Sequence, residues 1–558
     1  MKLLLLISTL TSLAVTIHAQ PWSGRTMQWS RAGARPFLSP ERRVYVDSLG
    51  GDPSGMMPSD DAVVNAIAQA GSEGVTVVFG TGRYLLRRPM YIPSNVTIQG
   101  QGATQTTLTF SAIGENDCIR IQGGMTRALY PLVQPLRRGD SLLYFDGGVM
   151  EPGTLLRIVL NDSDYVYSDW ARGSVGQVVG VRSSIGLATM LETPLRLDVG
   201  MDRKPRCIRL IPTERVRLRC FSIERGDSTS SQTANIRIAY ARDVMIDGVR
   251  SSKTNFGHVV IESSSNVTVT RCDFSASFGY GGGGRGYGVV CQFTASDCRI
   301  EDNIFSDLRH SMLMQAGANG NVFAYNASKN ARWTEFPNDA AGDVVFHGNW
   351  VFGNLVEGND VSHIVVDNSH GANGWFNTVL RNRSREYGLY MGGSPFADST
   401  TIMGNEIPNT SLIKGLFITG GKGLVNIGNI VKGKLTPPEL SMVPPQSFLY
   451  ASRPVGYQGN IWPPYGAMDP SQRDTIPARI RQLISKITCP CEEEFPTTVR
   501  ERITQRDIFE NVDHVVAINV LGQQVFSGAI SDYLQWRTDK VILTQQLSGT
   551  TLTVLTGR

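Results

Sequence analysis

Five of the seven histidines in the chain, His258, His310, His347, His363 and His370, fall within about a fifth of its length. Among them lie Arg285, Tyr287, Arg309, Glu335, Asp339, Asp343, Asp360, Asp367, Arg383, Arg385 and Tyr387. Two reaction types use such a mixture. Elimination beside a uronate carboxylate needs a base for the C5 proton and a cation to neutralise the carboxylate. His310 or Tyr287 offers the base, and Arg309, Arg285 or Arg385 the cation, with His363 and Asp367 in the same catalytic group. Hydrolysis instead needs two carboxyl groups about 5–10 Å apart, and Glu335, Asp339, Asp343, Asp360 and Asp367 offer several pairs. His258, Glu335, Asp339, Asp343, Asp360, Arg383, Arg385 and Tyr387 are expected to line a substrate. A third reading keeps the same residues as a glycan-binding surface without catalysis. The stretch VDNSHGANGWFNTVLRNRSREYG (366–388) is the densest in polar groups. Asp367 and His370 there suit mutual orientation, although SHGANG is also an ordinary turn sequence.

Residues so far apart in sequence meet only if the chain repeats. From residue 244 to 430 it does: CRIEDN, NVFAYN, NLVEGN, NTVLRN, TTIMGN and LVNIGN end at Asn303, Asn326, Asn359, Asn382, Asn405 and Asn429, with Cys272 and Gly248 in the same place. Successive gaps are 24, 31, 23, 33, 23, 23 and 24 residues. A fixed period with alternating apolar residues means a solenoid of short strands. At about 4.8 Å between paired strands, neighbouring coils put their side chains within reach of one sugar unit. The expected architecture is a parallel β-helix. Each recurrent asparagine is expected at a turn, where its amide bonds locally and left-handed backbone is tolerated, and the six are expected to form one axial ladder.

The two long gaps locate insertions at SFGYGGGGRGY and NARWTEFPNDAAG, both between the Asn turn and the next strand. Both loops therefore leave the same edge and flank the coil that begins Arg309–His310. They are expected to wall a groove with those two residues on its floor, and His310 is expected to titrate near neutrality. No helix follows the glycine run, so its G-x-G-x-x-G does not hold a dinucleotide.

The remainder caps or punctuates the solenoid. SDDAVVNAIAQA reads as a short helix with Ser59 as N-cap and Gly71 at its end. Residues 20–43 form an N-terminal extension, and 44–124 the cap and first coils. Between 125 and 215 the rhythm vanishes and β-patterned segments suggest an inserted antiparallel domain. The helix proper spans 216–455, a Pro-rich linker with one short helix spans 456–505, and a compact β-patterned tail spans 506–558. The opening MKLLLLISTLTSLAVTIHA has the form of a secretory signal over residues 1–19. No later apolar run reaches the roughly 18 residues that span a bilayer. A net charge of +4 without a basic cluster argues against nucleic acid. The eight cysteines permit disulfides, but the sequence does not fix their pairing.

SDDAVVNAIAQA, followed by GVTVVFGTGRYLL and IPSNVTIQGQG, resembles the opening of pectate-lyase-like right-handed parallel β-helix proteins. With the coils, the resemblance covers residues 44–455. It implies an all-β solenoid acting on a polysaccharide, although that superfamily includes lyases, hydrolases, epimerases and phage tailspikes. Calcium is implied by the resemblance alone, since no residue set in the sequence marks a metal site. The tail, through INVLGQQVFSG and LSG, resembles the C-terminal sorting domain of type IX secretion, which implies a secretion-machinery partner and a secreted or surface location. It departs from that pattern in reading SGTTLTV where a G-x-Y is usual.

Overall fold

A computed structural model describes residues 20–393, 396–439, 442–454, 457 and 461–484, together with the backbone of four C-terminal strands. The secretory-signal reading and Cys489 and Cys491 lie outside the described residues. The chain divides into two units, 1–489 and 490–558.

The larger unit is a right-handed parallel β-helix whose coils each supply up to three strands. One complete coil runs Arg299–Glu301, Ile304–Ser306, His310–Met314. The first strands of successive coils form a parallel sheet of twelve, from Arg43–Tyr45 to Val425–Ile427. The second and third strands stack into two further faces. In Asp360–Val366 and Arg383–Met391 these two faces run into each other as one bent strand, with a bulge between Val361 and His363. Alternation within the third strands sends Val289, Cys291, Met312 and Met314 into the main core. Val260, Val290, Leu313 and Val345 face outward and pack with Ala234, Phe256 and Tyr287.

The six asparagines form the expected ladder. Each is buried, and each after Asn303 turns its Oδ1 to the backbone N–H and side-chain Nδ2 of the ladder asparagine one coil before, as Asn359 does for Asn326 at 2.9 and 3.0 Å. Cys272 takes the place before Asn303 through its backbone N–H (2.9 Å). The left-handed position is the residue before each asparagine. Asp302, Tyr325, Gly358, Arg381, Gly404 and Gly428 all have φ between 51° and 66°, so the asparagine is selected for its amide and its neighbour takes the backbone strain. A second ladder, Asn321–Asn354–Asn377, runs along the corner before the first sheet (Nδ2 to Oδ1 3.0 and 3.1 Å).

Residues 25–43 form a strap across the outside of the twelve-stranded sheet. Its contacts run from Gly423, reached by Arg25, through Trp29 Nε1 to Gly353 O (2.8 Å) and Arg35 to Asp243 (2.6 Å), to Pro40 O, which accepts from Thr76 (2.7 Å). Phe448, Leu449, Tyr457 and Tyr465 from the Pro-rich segment extend the same cover. The helix Pro477–Leu483 lies on the second face, where Gln482 donates to Phe305 O (3.0 Å) and Arg481 pairs with Asp302 (3.0 Å). Trp29 is 1% exposed. Trp29→Ala is therefore expected to cost about 3–5 kcal/mol, read as a fall in the urea midpoint. A change near zero would mean that the strap is not part of the folded unit.

At the N-terminus, Asp60–Ile67 is the capping helix, extended by a 3-10 turn to Gly71, which takes a positive φ of 50°. Ser59 occupies the N-cap position, but its hydroxyl accepts the N–H of Asp52 (3.0 Å) and not one from its own helix. The insertion forms a six-stranded antiparallel sheet running from Gly124–Pro131 to Leu142–Tyr144 by way of Arg206–Ile211 and Leu155–Val159. It docks on the corner after the third strands, where Arg196 pairs with Asp297 in a buried contact and donates to Asn319 (2.9 Å). Cys118, Cys207, Cys272, Cys291 and Cys298 are buried in the fold. In the smaller unit, Val515–Ile518, Gln524–Gly528, Val541–Leu547 and Thr550–Thr556 form a four-stranded antiparallel sheet.

Candidate active site

The strap and the C-terminal segments occupy the other two faces, which leaves the outside of the third face as the working surface. Both insertions rise at its leading edge, between Asp273–Ser277 and Tyr287–Gln292 and between Ala327–Lys329 and Val344–Phe346. The inserted domain stands along its trailing edge. Arg309 and His310 lie between the two loops and each is tied to one of them. Arg309 donates to Gly281 O (2.5 Å), and His310 Nδ1 to Gly342 O (2.9 Å).

His310 is nevertheless buried. Tyr287 stacks on its ring (5.1 Å) and is itself only 4% exposed. Burial first, then the charges of His347 and Arg309, hold its pKa well below the usual range, against the expectation of titration near neutrality. Because a carbonyl can only accept, the bond to Gly342 fixes the proton on Nδ1 and leaves Nε2 as the basic nitrogen. His363 repeats this device two coils further on. Its Nδ1 donates to Ala340 O (3.2 Å), its Nε2 is buried without a partner, and burial lowers its pKa to about 4. The second insertion thus orients both imidazoles through its backbone carbonyls.

Beside His363 is Tyr387, with ring centroids 5.5 Å apart. Tyr387 donates to Asp339 Oδ1 (2.5 Å), and burial together with that carboxylate raises its pKa to about 12. Lys414 sits over the Tyr387 ring (4.8 Å) and contacts Asp339 (3.4 Å) and Glu386 (3.3 Å). Further along the strands, a polar row crosses the coils. Glu262 accepts from Arg237 (2.7 Å) and Gln292 (2.6 Å), Gln315 donates to Gln292 (2.5 Å), and His347 and Asp367 continue the row at 4.0 Å from each other. Where this row meets the inserted domain, Arg157, Arg172, Arg206, Tyr240, Glu262 and Phe293 are among the residues lining a cleft of about 410 Å³. Arg157 there is held by Gly173 O (2.7 Å) and Thr294 (3.1 Å), with no carboxylate partner among the described residues. Trp170, 49% exposed, packs edge-on against Phe293 at the same rim.

Several expected site residues are elsewhere. His258 is fully buried, bonded to Ser251 (2.8 Å) and Ala276 O (3.1 Å) against Phe274. Asp343 is fully buried, accepting from Ser328 (2.6 Å) and from the backbone of Ser362 (2.6 Å) and His363 (3.1 Å). Both stand at the bend into the third strand, where strict alternation fails. Asp360 is buried against Arg385 and Tyr465, and Arg383 pairs with Glu406 (2.9 Å) beneath the same tyrosine, so these three residues secure the C-terminal segment. Arg285 ties its loop to Thr229 O (3.1 Å) and Ser230 O (2.9 Å), and Glu335 is exposed on the second loop. Lys414, Glu386, Arg157 and Trp170 were not expected. Lys414 and Glu386 come from neighbouring coils, and the other two from the inserted domain, where no repeat aligns them with the rest. Among the described residues, the cluster of three or more ligating side chains is His347, Asp367 and His370, with one carboxylate where a hard cation takes six to eight oxygens.

No family model and no curated protein matches the sequence. Among solved structures, the tailspike gp49 of Pseudomonas phage LKA1 matches at TM-score 0.51 and 15% identity, over 65% of this chain and 63% of that one. The tailspike gp61 of Pseudomonas phage phi297 matches at 0.49 and 13%, over 70% and 74%. The exopolygalacturonase of Thermotoga maritima matches at 0.37 and 11%, over 67% and 82%. The chain spans less than two thirds of the length of the first of these, and that likeness is one of fold: a right-handed parallel β-helix.

Proposed function

We propose that this is a secreted carbohydrate-active protein that cleaves an acidic polysaccharide by β-elimination on the third face. One observation carries the reading. His363 offers a neutral imidazole with its lone pair fixed on an unpartnered Nε2, next to a phenol that stays protonated and a lysine. In the reaction, substrate binding uncovers His363 Nε2, which takes the C5 proton while Lys414 or Arg309 neutralises the uronate carboxylate. The C5 electron pair forms the C4–C5 double bond, the bond from C4 to the glycosidic oxygen breaks, and the Tyr387 O–H, turned from Asp339 to that oxygen, protonates it as it leaves. Asp339 orients the phenol. Arg157, Arg172 and Arg206 suit further acidic units, and the face of Trp170 suits the apolar face of a sugar ring. Secretion through the leader at residues 1–19, and sorting by the tail through the type IX machinery, complete the proposal.

Incubating the mature protein with a panel of acidic and neutral polysaccharides, and following both absorbance near 235 nm and reducing ends, separates the readings. Rising absorbance is expected. Reducing ends alone would replace elimination by hydrolysis through carboxylates such as Asp339 and Glu386, and neither signal would leave a binding surface. For the tail, a chain ending near residue 500 is expected to keep its activity and to lose export or surface retention. Lost activity with intact export would count against a sorting role.

A further inference from the structure

The repeat that builds the solenoid also sets His347, Asp367 and His370 side by side. The pairing Val344–Ile364, Val345–Val365, Phe346–Val366 continues to His347 beside Asp367, and His370 follows His347 by 23 residues, one coil length. One nitrogen from each imidazole and one Asp367 oxygen all lie within 4.8 Å of one another. His347 turns its Nε2 to Asp367 Oδ2 at 4.0 Å, outside hydrogen-bond distance, so neither group satisfies the other. Asp367 is held in place by the N–H of Ser369 (2.7 Å).

We propose that His347, Asp367 and His370 form a mononuclear site for Zn²⁺ on the floor of the groove. Two imidazoles and one carboxylate are a donor set for a borderline first-row ion and not for calcium or magnesium, and three protein ligands leave a fourth position open. Bonds of about 2.1 Å need donors about 3.4 Å apart in a tetrahedral shell, so the three side chains must close in slightly. The rings of His347 and His370 lie 4.4 Å apart and 13° from parallel. A metal sits in the plane of each imidazole it binds, so one ring must turn. His370 is exposed on a loop and is free to do so, whereas His347 is packed against His310 (5.9 Å). The open position would face the same groove, where a carboxylate or hydroxyl of a bound glycan could complete the shell. The metal site stands without the polysaccharide reading, because its test measures metal alone.

The tag-free mature protein, stripped with a chelator and dialysed, is titrated with Zn²⁺ against a chromophoric competitor, and its metal content is counted by mass spectrometry. One Zn²⁺ per chain is expected. His370→Ala and Asp367→Asn should weaken binding by more than the roughly 10–100-fold typical of losing an outer-shell partner, while Glu335→Gln on the nearby loop should not. His370 and Asp367 are both at least partly exposed, so these variants should melt as the parent does, whatever becomes of His347→Ala. No stoichiometric Zn²⁺, parental affinity in both ligand variants, or Ca²⁺ displacing Zn²⁺ would each overturn the site.

Discussion

His363→Gln is expected to lower turnover on an acidic polysaccharide by about 10²–10⁴-fold, the usual contribution of a positioned general base, with little change in KM or in thermal midpoint. The carbonyl of Ala340 holds the proton on Nδ1, so the basic nitrogen is the buried, unpartnered Nε2. Its pKa of about 4, set by burial, keeps the ring neutral throughout the physiological range. Tyr387, at about 12, keeps its proton over the same range. The base is lost only as pH falls towards 4 and the acid only as pH approaches 12, so the pH–rate profile is expected to be a broad plateau across neutrality. An unperturbed histidine would already lose activity below about pH 6.5. Full turnover in the glutamine variant, or a rate falling steeply between pH 7 and 6, would remove His363 from the role of base. Loss of activity in Asp339→Asn with reducing ends and no absorbance would transfer the chemistry to the carboxylates.

The coils were legible because an amide ladder needs the same residue at the same phase of every turn, and that periodicity survives in the spacing of Asn303 through Asn429. The second ladder carries the same signal at Asn321, Asn354 and Asn377, with gaps of 33 and 23 residues, but lies beside the first and is masked by it. The two loops and their common edge followed from the gap lengths. Side-chain direction did not follow. His258 and Asp343 sit where the second strand bends into the third, and there the alternation that tells inside from outside breaks down, whereas Asp360, Arg383 and Arg385 lie on the second strands under Tyr465 of a segment that no repeat aligns with them. The strap at residues 25–43 has no period at all, since it runs across the strands as a single irregular chain. Arg157 and Trp170 reach the groove through docking of the inserted domain, and the sequence holds no distance information about that.

Asn359→Ala tests the framework on which all these positions depend, and it is expected to cost about 2–6 kcal/mol, the sum of two orphaned buried groups at about 1–3 kcal/mol each. The Asn359 Oδ1 accepts both the backbone N–H of Asn326 (2.9 Å) and its Nδ2 (3.0 Å). Its own Nδ2 donates to Phe323 O (2.8 Å) and to Asn382 Oδ1 (2.9 Å). Alanine supplies none of these, and the site is fully buried, so water cannot replace them without opening the coil. Asn326 keeps one side-chain bond, to Ile300 O (2.9 Å), but its backbone donor is left without an acceptor. Coils contact mainly their neighbours, so the damage should appear as increased amide exchange in the strands Val322–Ala324, Leu355–Glu357 and Thr378–Leu380 before the ends of the solenoid respond. Asn338→Ala, on the exposed loop, should change stability by less than about 0.5 kcal/mol. A loss under 1 kcal/mol in Asn359→Ala, or exchange spread evenly over the solenoid, would show that apolar stacking and not the amide column sets the register of the coils.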